Sequence, residues 1–197
     1  MNIAVQNLVV TMVRANLDRI PEFDWPPGFI CRRYQVGDEA HWLRIHLAAD
    51  KYTEITPELF QKQFSVAGES GLPPTSAYDL TSGINSVLRE LSERQLYLIE
   101  PQGEVIGTAT AWFDNNFEGG RWGRVHWVAI VPGFQGRGLA QPLMTAVCRR
   151  LRELGHERAY LRTSTARLAA IKLYRRFGFE PRIRSAEDER IWGEIAC

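Results

Sequence analysis

From Val125 to Val131 the chain is apolar on both faces of an alternating pattern, broken only by His126. This predicts a central strand covered on both sides. Pro132-Gly133 ends it, because proline cannot continue a ladder. Leu139, Leu143, Val147, Leu151 and Leu154 then recur at helical spacing, with Arg149, Arg150, Arg152 and Glu153 between them. Gly155 is the stop. The unit is strand, glycine turn, amphipathic helix.

The same reading gives the other elements. Leu8 to Val13 is an extra strand, in a segment up to Gly28 that is either a partner-facing arm or an added edge strand. Phe29 to Gln35 is the first strand of a main domain over residues 29–197, with residues 1–28 an N-terminal extension. Asp38 caps a first helix through Trp42 and Ile45. Thr56-Pro57 opens a second, since threonine caps and proline suits the first helical position. Ala67 to Ser82, rich in Gly, Pro and Ser, is a long loop. Ile84 to Arg94 is helical. Gln95 to Glu100 and Glu104 to Phe113 form a hairpin across Pro101-Gln102-Gly103. Asp114 to Gly123 is a polar connection, Ala159 to Thr163 a strand and Arg167 to Phe177 a helix. Phe179 to Arg184 and Arg190 to Ile195 are two closing strands. The order predicts a mixed α/β sheet with helices on both faces.

Composition narrows the class. The 197 residues are 45% hydrophobic and 24% charged, with 24 basic against 23 acidic side chains and a net charge of +1. This suits a soluble globular protein and gives no reason to invoke nucleic acid or a membrane surface. Cys31, Cys148 and Cys197 have no metal spacing, and a reduced, cytoplasmic setting is the default. No signal peptide or membrane span is credible.

The turn Gln135-Gly136-Arg137-Gly138-Leu139-Ala140 offers small residues and free helix-start N–H groups, which suit phosphate. It lacks the Gly-Lys-Ser/Thr of a Walker loop. Its Gln135, Gly138 and Ala140 resemble the Q/R-x-x-G-x-G/A signature of the GNAT superfamily of N-acyltransferases. Leu173-Tyr174-Arg175-Arg176-Phe177-Gly178-Phe179 is similar to that family's closing L-Y-x-x-x-G-F element. The resemblance implies a mostly antiparallel sheet whose splayed strands hold CoA. It implies transfer of acetyl from acetyl-CoA, as co-substrate and without metal, to a primary amine by direct attack. It makes Val128, Ala129 and Ile130 the strand backbone along pantetheine, and Gln135, Gly136, Arg137, Gly138, Leu139 and Ala140 the pyrophosphate turn. Tyr174 is the implied acid toward the CoA sulfur. His126 is the candidate base, since Arg124 stands where some members carry glutamate. Glu54, Asp114 and Glu118 are reserve bases. Arg167 replaces a CoA-contacting asparagine of the family. Asp50 to Thr56 falls where members build the acceptor site. The acceptor, a small-molecule amine or a peptide N-terminus, stays open, as does oligomeric state, a homodimer included. The competing reading is an inactive acyl-CoA-binding module or regulatory partner. Trp25, Trp112 and Trp122 either line an aromatic acceptor pocket or pack the core.

Overall fold

The structure is a computed structural model that describes residues 6–64 and 77–195. Seven strands form one sheet: β1 Val9–Arg14, β2 Ile30–Arg33, β3 Gln95–Ile99, β4 Val105–Phe117, β5 Gly120–Ile130, β6 Ala159–Ser164 and β7 Glu180–Pro181. Among the described residues the helices are α1 Glu39–Ala49, α2 Pro57–Phe64, α3 Ala77–Arg94, α4 Ala140–Glu153, α5 Leu168–Arg176 and α6 Ala186–Glu194. The spatial order is β2-β3-β4-β5-β6-β1-β7. Every pairing is antiparallel except β5 with β6. The mixed, mostly antiparallel sheet with helices on both faces is the predicted class.

The two faces carry separate cores. On one, Met12, Leu98, Ile106, Val125, Leu143, Val147, Leu151, Ile171 and Phe177 join β1, β3, β4 and β5 to α4 and α5. On the other, Trp42, Ile45, Phe60, Phe64, Tyr97 and Trp112 join α1 and α2 to β3 and β4. The alternation of β5 serves both, which is why its sequence is apolar on each face.

Several local readings hold. Thr56 caps α2, its hydroxyl accepting from the Leu59 N–H at 3.1 Å, a bond worth about 1 kcal/mol. Gly155 stops α4 at φ +80°. Cys148 is buried in the core, and burial pushes its thiol up to about 12. Asp38 does stand at the α1 N-cap, but its carboxylate accepts from the Gln35 N–H at 2.7 Å and from Arg32 at 2.5 and 2.8 Å instead of capping.

Four readings are corrected. Asp114 to Gly123 is no polar connection: β4 runs to Phe117, β5 starts at Gly120, and Glu118-Gly119 turns between them with φ +50° and +74°. Positive φ at both central residues matches the twist of a two-residue hairpin. Arg190 to Ile195 is not a strand but most of α6. Ser185 accepts from the Asp188 N–H at 3.1 Å, Glu187, Asp188 and Glu189 fill the first turn, and Arg190 bridges Glu187 and Glu194. Local capping and i, i+4 pairing favour helix there. Helix α3 begins at Ala77, so Ala77 to Ser82 is helical; the rest of the expected 67–82 loop lies outside the described residues.

The fourth correction concerns β1. It is not an edge strand. It lies between β6 and β7, with Val9 opposite Ser164, Arg14 opposite Ala159 and Met12 opposite Pro181. Arg14 donates to the carbonyls of Phe177, Arg19 and Asn16. The following segment crosses α4 and α5: Thr145 donates to the Pro21 carbonyl and accepts from the Phe23 N–H, and Phe23 meets Phe177 at 5.7 Å.

Candidate active site at the splayed strands

Strands β5 and β6 pair only at Gly123 with Ala159 and at Arg124 with Tyr160. Gly123 permits this approach, since a Cβ there would sit 3.0 Å from Leu151 Cδ2 and 3.2 Å from the Arg158 carbonyl. Beyond Arg124 the strands diverge. The second half of β5 keeps its β4 neighbour and lacks one on the β6 side.

That half carries a bulge. Thr108 faces Ala129 and Thr110 faces His126, so Trp127 and Val128 together oppose one residue. Trp127 adopts φ +49°, rare for a bulky side chain and a conformation that costs about 1–3 kcal/mol. Its indole is anchored on Gln63 Oε1 at 3.2 Å and packed against Trp42 and His46. Bulges of this kind re-aim backbone near functional sites.

The ladder decides which backbone groups face the gap. The Val131 N–H donates to the Ile106 carbonyl at 2.9 Å. By antiparallel alternation, Ile130 then turns its N–H and C=O away from β4, and Ala129 turns its own toward Thr108. Gln135 Nε2 donates to the Ile130 carbonyl at 2.7 Å. Ala129 is therefore engaged within the sheet, and Gln135 fastens the glycine turn to the end of β5.

The turn has Gly136 at φ +73° and Gly138 at φ +79°, with nothing within 4 Å of a Cβ built on either. The N–H groups of Gly136, Arg137, Gly138, Leu139 and Ala140 have no acceptor among the described residues; the first bond beyond them runs from the Gln141 N–H to the Gly138 carbonyl. They cluster at the start of the fourteen-residue α4. Five unpaired donors at a positive dipole end suit an anion. The Arg137 guanidinium lies over Phe134 at 4.7 Å.

Tyr174 is buried in α5 beside Phe179 at 6.4 Å. Burial pushes its phenol up to about 12, against the nearby Arg167 guanidinium, which pulls it down. His126 is 6% exposed, packs on Phe64 at 5.6 Å, and has no hydrogen-bond partner at Nε2. Burial, then Arg124, hold it well below the usual histidine range, so it is neutral.

Arg167, at the N-cap of α5, donates through one nitrogen to both Asp50 oxygens at 2.9 and 2.8 Å and stacks over Tyr52 at 5.4 Å. Asp50 Oδ1 also accepts from the Tyr52 and Thr53 N–H groups. The α1–α2 loop is thus pinned to α5. Among the reserve bases, Asp114 accepts from the Tyr160 hydroxyl at 2.8 Å, Glu118 is bridged to Arg182 at 2.6 Å, and Glu54 is exposed. Trp112 and Trp122 are buried and Trp25 half-buried against the core, so they do not present exposed indoles.

One residue escaped the sequence reading. His46 is 2% exposed, packed at a tilt on Trp42 at 4.3 Å, with Nε2 unpartnered and its pKa lowered to about 3 by burial. Trp42, His46 and Asp50 at i, i+4 and i+8 were the available signal. Among the described residues, no His, Cys, Asp or Glu grouping would hold a metal, and no helix is long and apolar enough to cross a membrane.

Comparison with known proteins bears on this geometry. The acetyltransferase (GNAT) family model matches residues 56–179. No similar sequence was found among curated proteins. Similar solved structures include a GCN5-related N-acetyltransferase from Sphaerobacter thermophilus, with TM-score 0.57 and 22% identity over 88% of this chain. The chain spans only 48% of that relative's length. The ribosomal-protein-S18-alanine N-acetyltransferase from Escherichia coli aligns with TM-score 0.52 and 17% identity over 79% of each chain. Rv2747 from Mycobacterium tuberculosis, solved in complex with CoA, aligns with TM-score 0.51 and 14% identity over 83% of this chain and 81% of its own. These likenesses concern the fold; the family match takes in the bulged strand, the glycine turn and Tyr174, and by it the chain belongs to the acetyltransferase (GNAT) family.

Proposed function

We propose that this protein transfers an acetyl group from acetyl-CoA to a primary amine. The observation that carries the reading is the run of five unpartnered N–H groups from Gly136 to Ala140 beside a strand edge that has lost its neighbour. The first feature fits a pyrophosphate, the second an extended amide chain such as pantetheine. The residues present therefore fit CoA. Val128 and the Ile130 N–H offer the gap-facing backbone, and a backbone N–H at the Trp127 bulge polarises the thioester carbonyl.

The amine nitrogen attacks the carbonyl carbon, a C–N bond forms, and the C–S bond breaks. The nitrogen loses one proton; the departing thiolate gains one. Tyr174 donates to the sulfur. Burial weakens it as an acid and Arg167 partly offsets that, so it supports the sulfur by a hydrogen bond along which the proton moves as charge builds. His126 is neutral and able to accept, but a buried imidazolium is costly, so it passes the proton to solvent through water. Arg167 holds the acceptor loop through Asp50 and steadies the Tyr174 phenolate.

Calorimetry with acetyl-CoA tests the cofactor. The wild type binds, and Gly138→Trp loses binding by at least about a hundredfold, because its side chain fills the approach to the turn and its backbone resists φ +79°. No binding by folded wild type sinks the enzyme reading. Tyr174→Phe lowers kcat by about 10²-fold with acetyl-CoA affinity retained; an unchanged kcat removes Tyr174 from the mechanism. The competing reading, a module that holds acyl-CoA without turnover, draws on the engagement of Arg167 with Asp50, and it predicts binding with no acetylated amine.

A further inference from the structure

Two arginines on the acceptor side of the sheet, Arg124 and Arg162, make no ion pair among the described residues. His126 packs on Phe64 of α2, which fixes its side of β5. Arg124, two residues earlier, shares that face. It is half-buried, its guanidinium lies 5.7 Å from the Tyr160 ring, and its Nε is enclosed without any hydrogen-bond partner. Tyr160 is the last residue of β6 to pair with β5. Two residues further, on the same face of β6, stands exposed Arg162, so it flanks His126 across the gap. Arg124 and Arg162 both push His126 toward its neutral form, as charges at close range do.

The Asp114 charge reaches Arg124, but its carboxylate makes no ion pair with it and accepts from the Tyr160 hydroxyl at 2.8 Å. Two other arginines near the site are paired, Arg167 with Asp50 and Arg182 with Glu118. A half-buried guanidinium whose enclosed Nε has no acceptor is costly. Its five donors in a planar fork match an oxyanion. Both groups lie beside the proposed base and on the face opposite α4, whose turn is assigned to pyrophosphate.

We infer that Arg124 and Arg162 bind an anionic group, carboxylate or phosphate, carried by the acceptor amine itself. The inference rests on the acyltransferase reading and narrows its substrate class to anionic amines such as amino acids or aminoalkyl phosphates. A plain cationic amine would meet two like charges at this place.

The test uses matched pairs: phenylalanine with phenylalaninamide, and phosphoethanolamine with ethanolamine. Each is titrated against the wild-type protein and Arg162→Gln by tryptophan fluorescence, without acetyl-CoA, and each is then assayed as acceptor. Arg162 is exposed, so its replacement leaves the melting temperature in place. The expected result is binding of at least one member that carries the carboxylate or phosphate about tenfold or more tighter than its partner lacking that group, with the same preference in kcat/KM, and a ratio falling toward one in Arg162→Gln while acetyl-CoA affinity holds. The pair that shows the preference says which anion is read. Equal binding within both pairs, or a preference undiminished in Arg162→Gln, overturns the inference and leaves the acyltransferase reading standing. Loss of acetyl-CoA binding in the wild type would defeat that reading separately, because the anion titration does not depend on it.

Discussion

Met12→Asp leaves the chain unable to fold. Met12 is 0% exposed at the middle of β1, opposite Leu161 on one side and Pro181 on the other. A carboxylate there has no water to hydrate it, and the one cation on that face of β1, Arg14, is committed to the carbonyls of Phe177, Arg19 and Asn16; the buried charge costs several kcal/mol on top of the lost methionine packing, about 2–5 kcal/mol. Domains of this size hold about 5–15 kcal/mol in total. Val9→Asp on the same strand is the control. Val9 is 72% exposed, so its replacement shifts stability by no more than about 0.5 kcal/mol. Thermal melts followed by circular dichroism read both. A Met12→Asp protein melting with the wild type would mean that β1 does not occupy the middle of the β6–β1–β7 ladder.

Acid destabilises the protein early, between pH 6.5 and 4. Burial lowers His46 to about 3 and His156 to about 4, and holds His126 well below its ordinary value. For His46 the desolvation is partly offset by Asp50 and reinforced by Arg167. In the unfolded chain all three take a proton near pH 6.5. The unfolded state then binds more protons than the folded one, so stability rises with pH across this window. The contribution is fully present above pH 6.5 and is lost as pH falls toward the folded values. Its scale is about 1.4 kcal/mol per pH unit for each fully neutral histidine, hence several kcal/mol between them. Urea midpoints at pH 7 and pH 5 measure it. His46→Phe, which keeps an aromatic ring against Trp42 and Trp127, flattens the dependence. Equal midpoints at the two pH values for the wild type would show that these histidines titrate normally in the folded state.

What the sequence revealed follows from how local each signal is. Helix α4 and its turn were legible because the leucine period, Pro132-Gly133 and the glycines lie within thirty residues and act on neighbouring backbone. The hairpin at Glu118-Gly119 was hidden because glutamate occupies a positive-φ position that turn rules reserve for asparagine, aspartate or glycine. Helix α6 was misread because Ile191, Trp192 and Ile195 are compatible with a short strand, and only the Ser185 cap and the Arg190 pairs decide. The position of β1 depends on partners far along the chain, which no window contains. At the site, Tyr174 and the glycine turn carry their own motifs. His46, the Trp127 bulge and the Arg167–Asp50 pair do not, since each exists only once α1, β5 and α5 are brought together.

The placement of β1 also sets a schedule. Its partner β6 follows it by roughly 145 residues, so at ordinary rates of synthesis about 7 to 30 s pass before its ladder is available. During that interval β1 is an unpaired apolar strand, and the open β6 edge of a neighbouring nascent chain is chemically identical to its own. Whether a given sheet is completed by its own first strand or by another molecule's is therefore decided by translation speed and crowding on the ribosome, before the stability of the finished fold has any say.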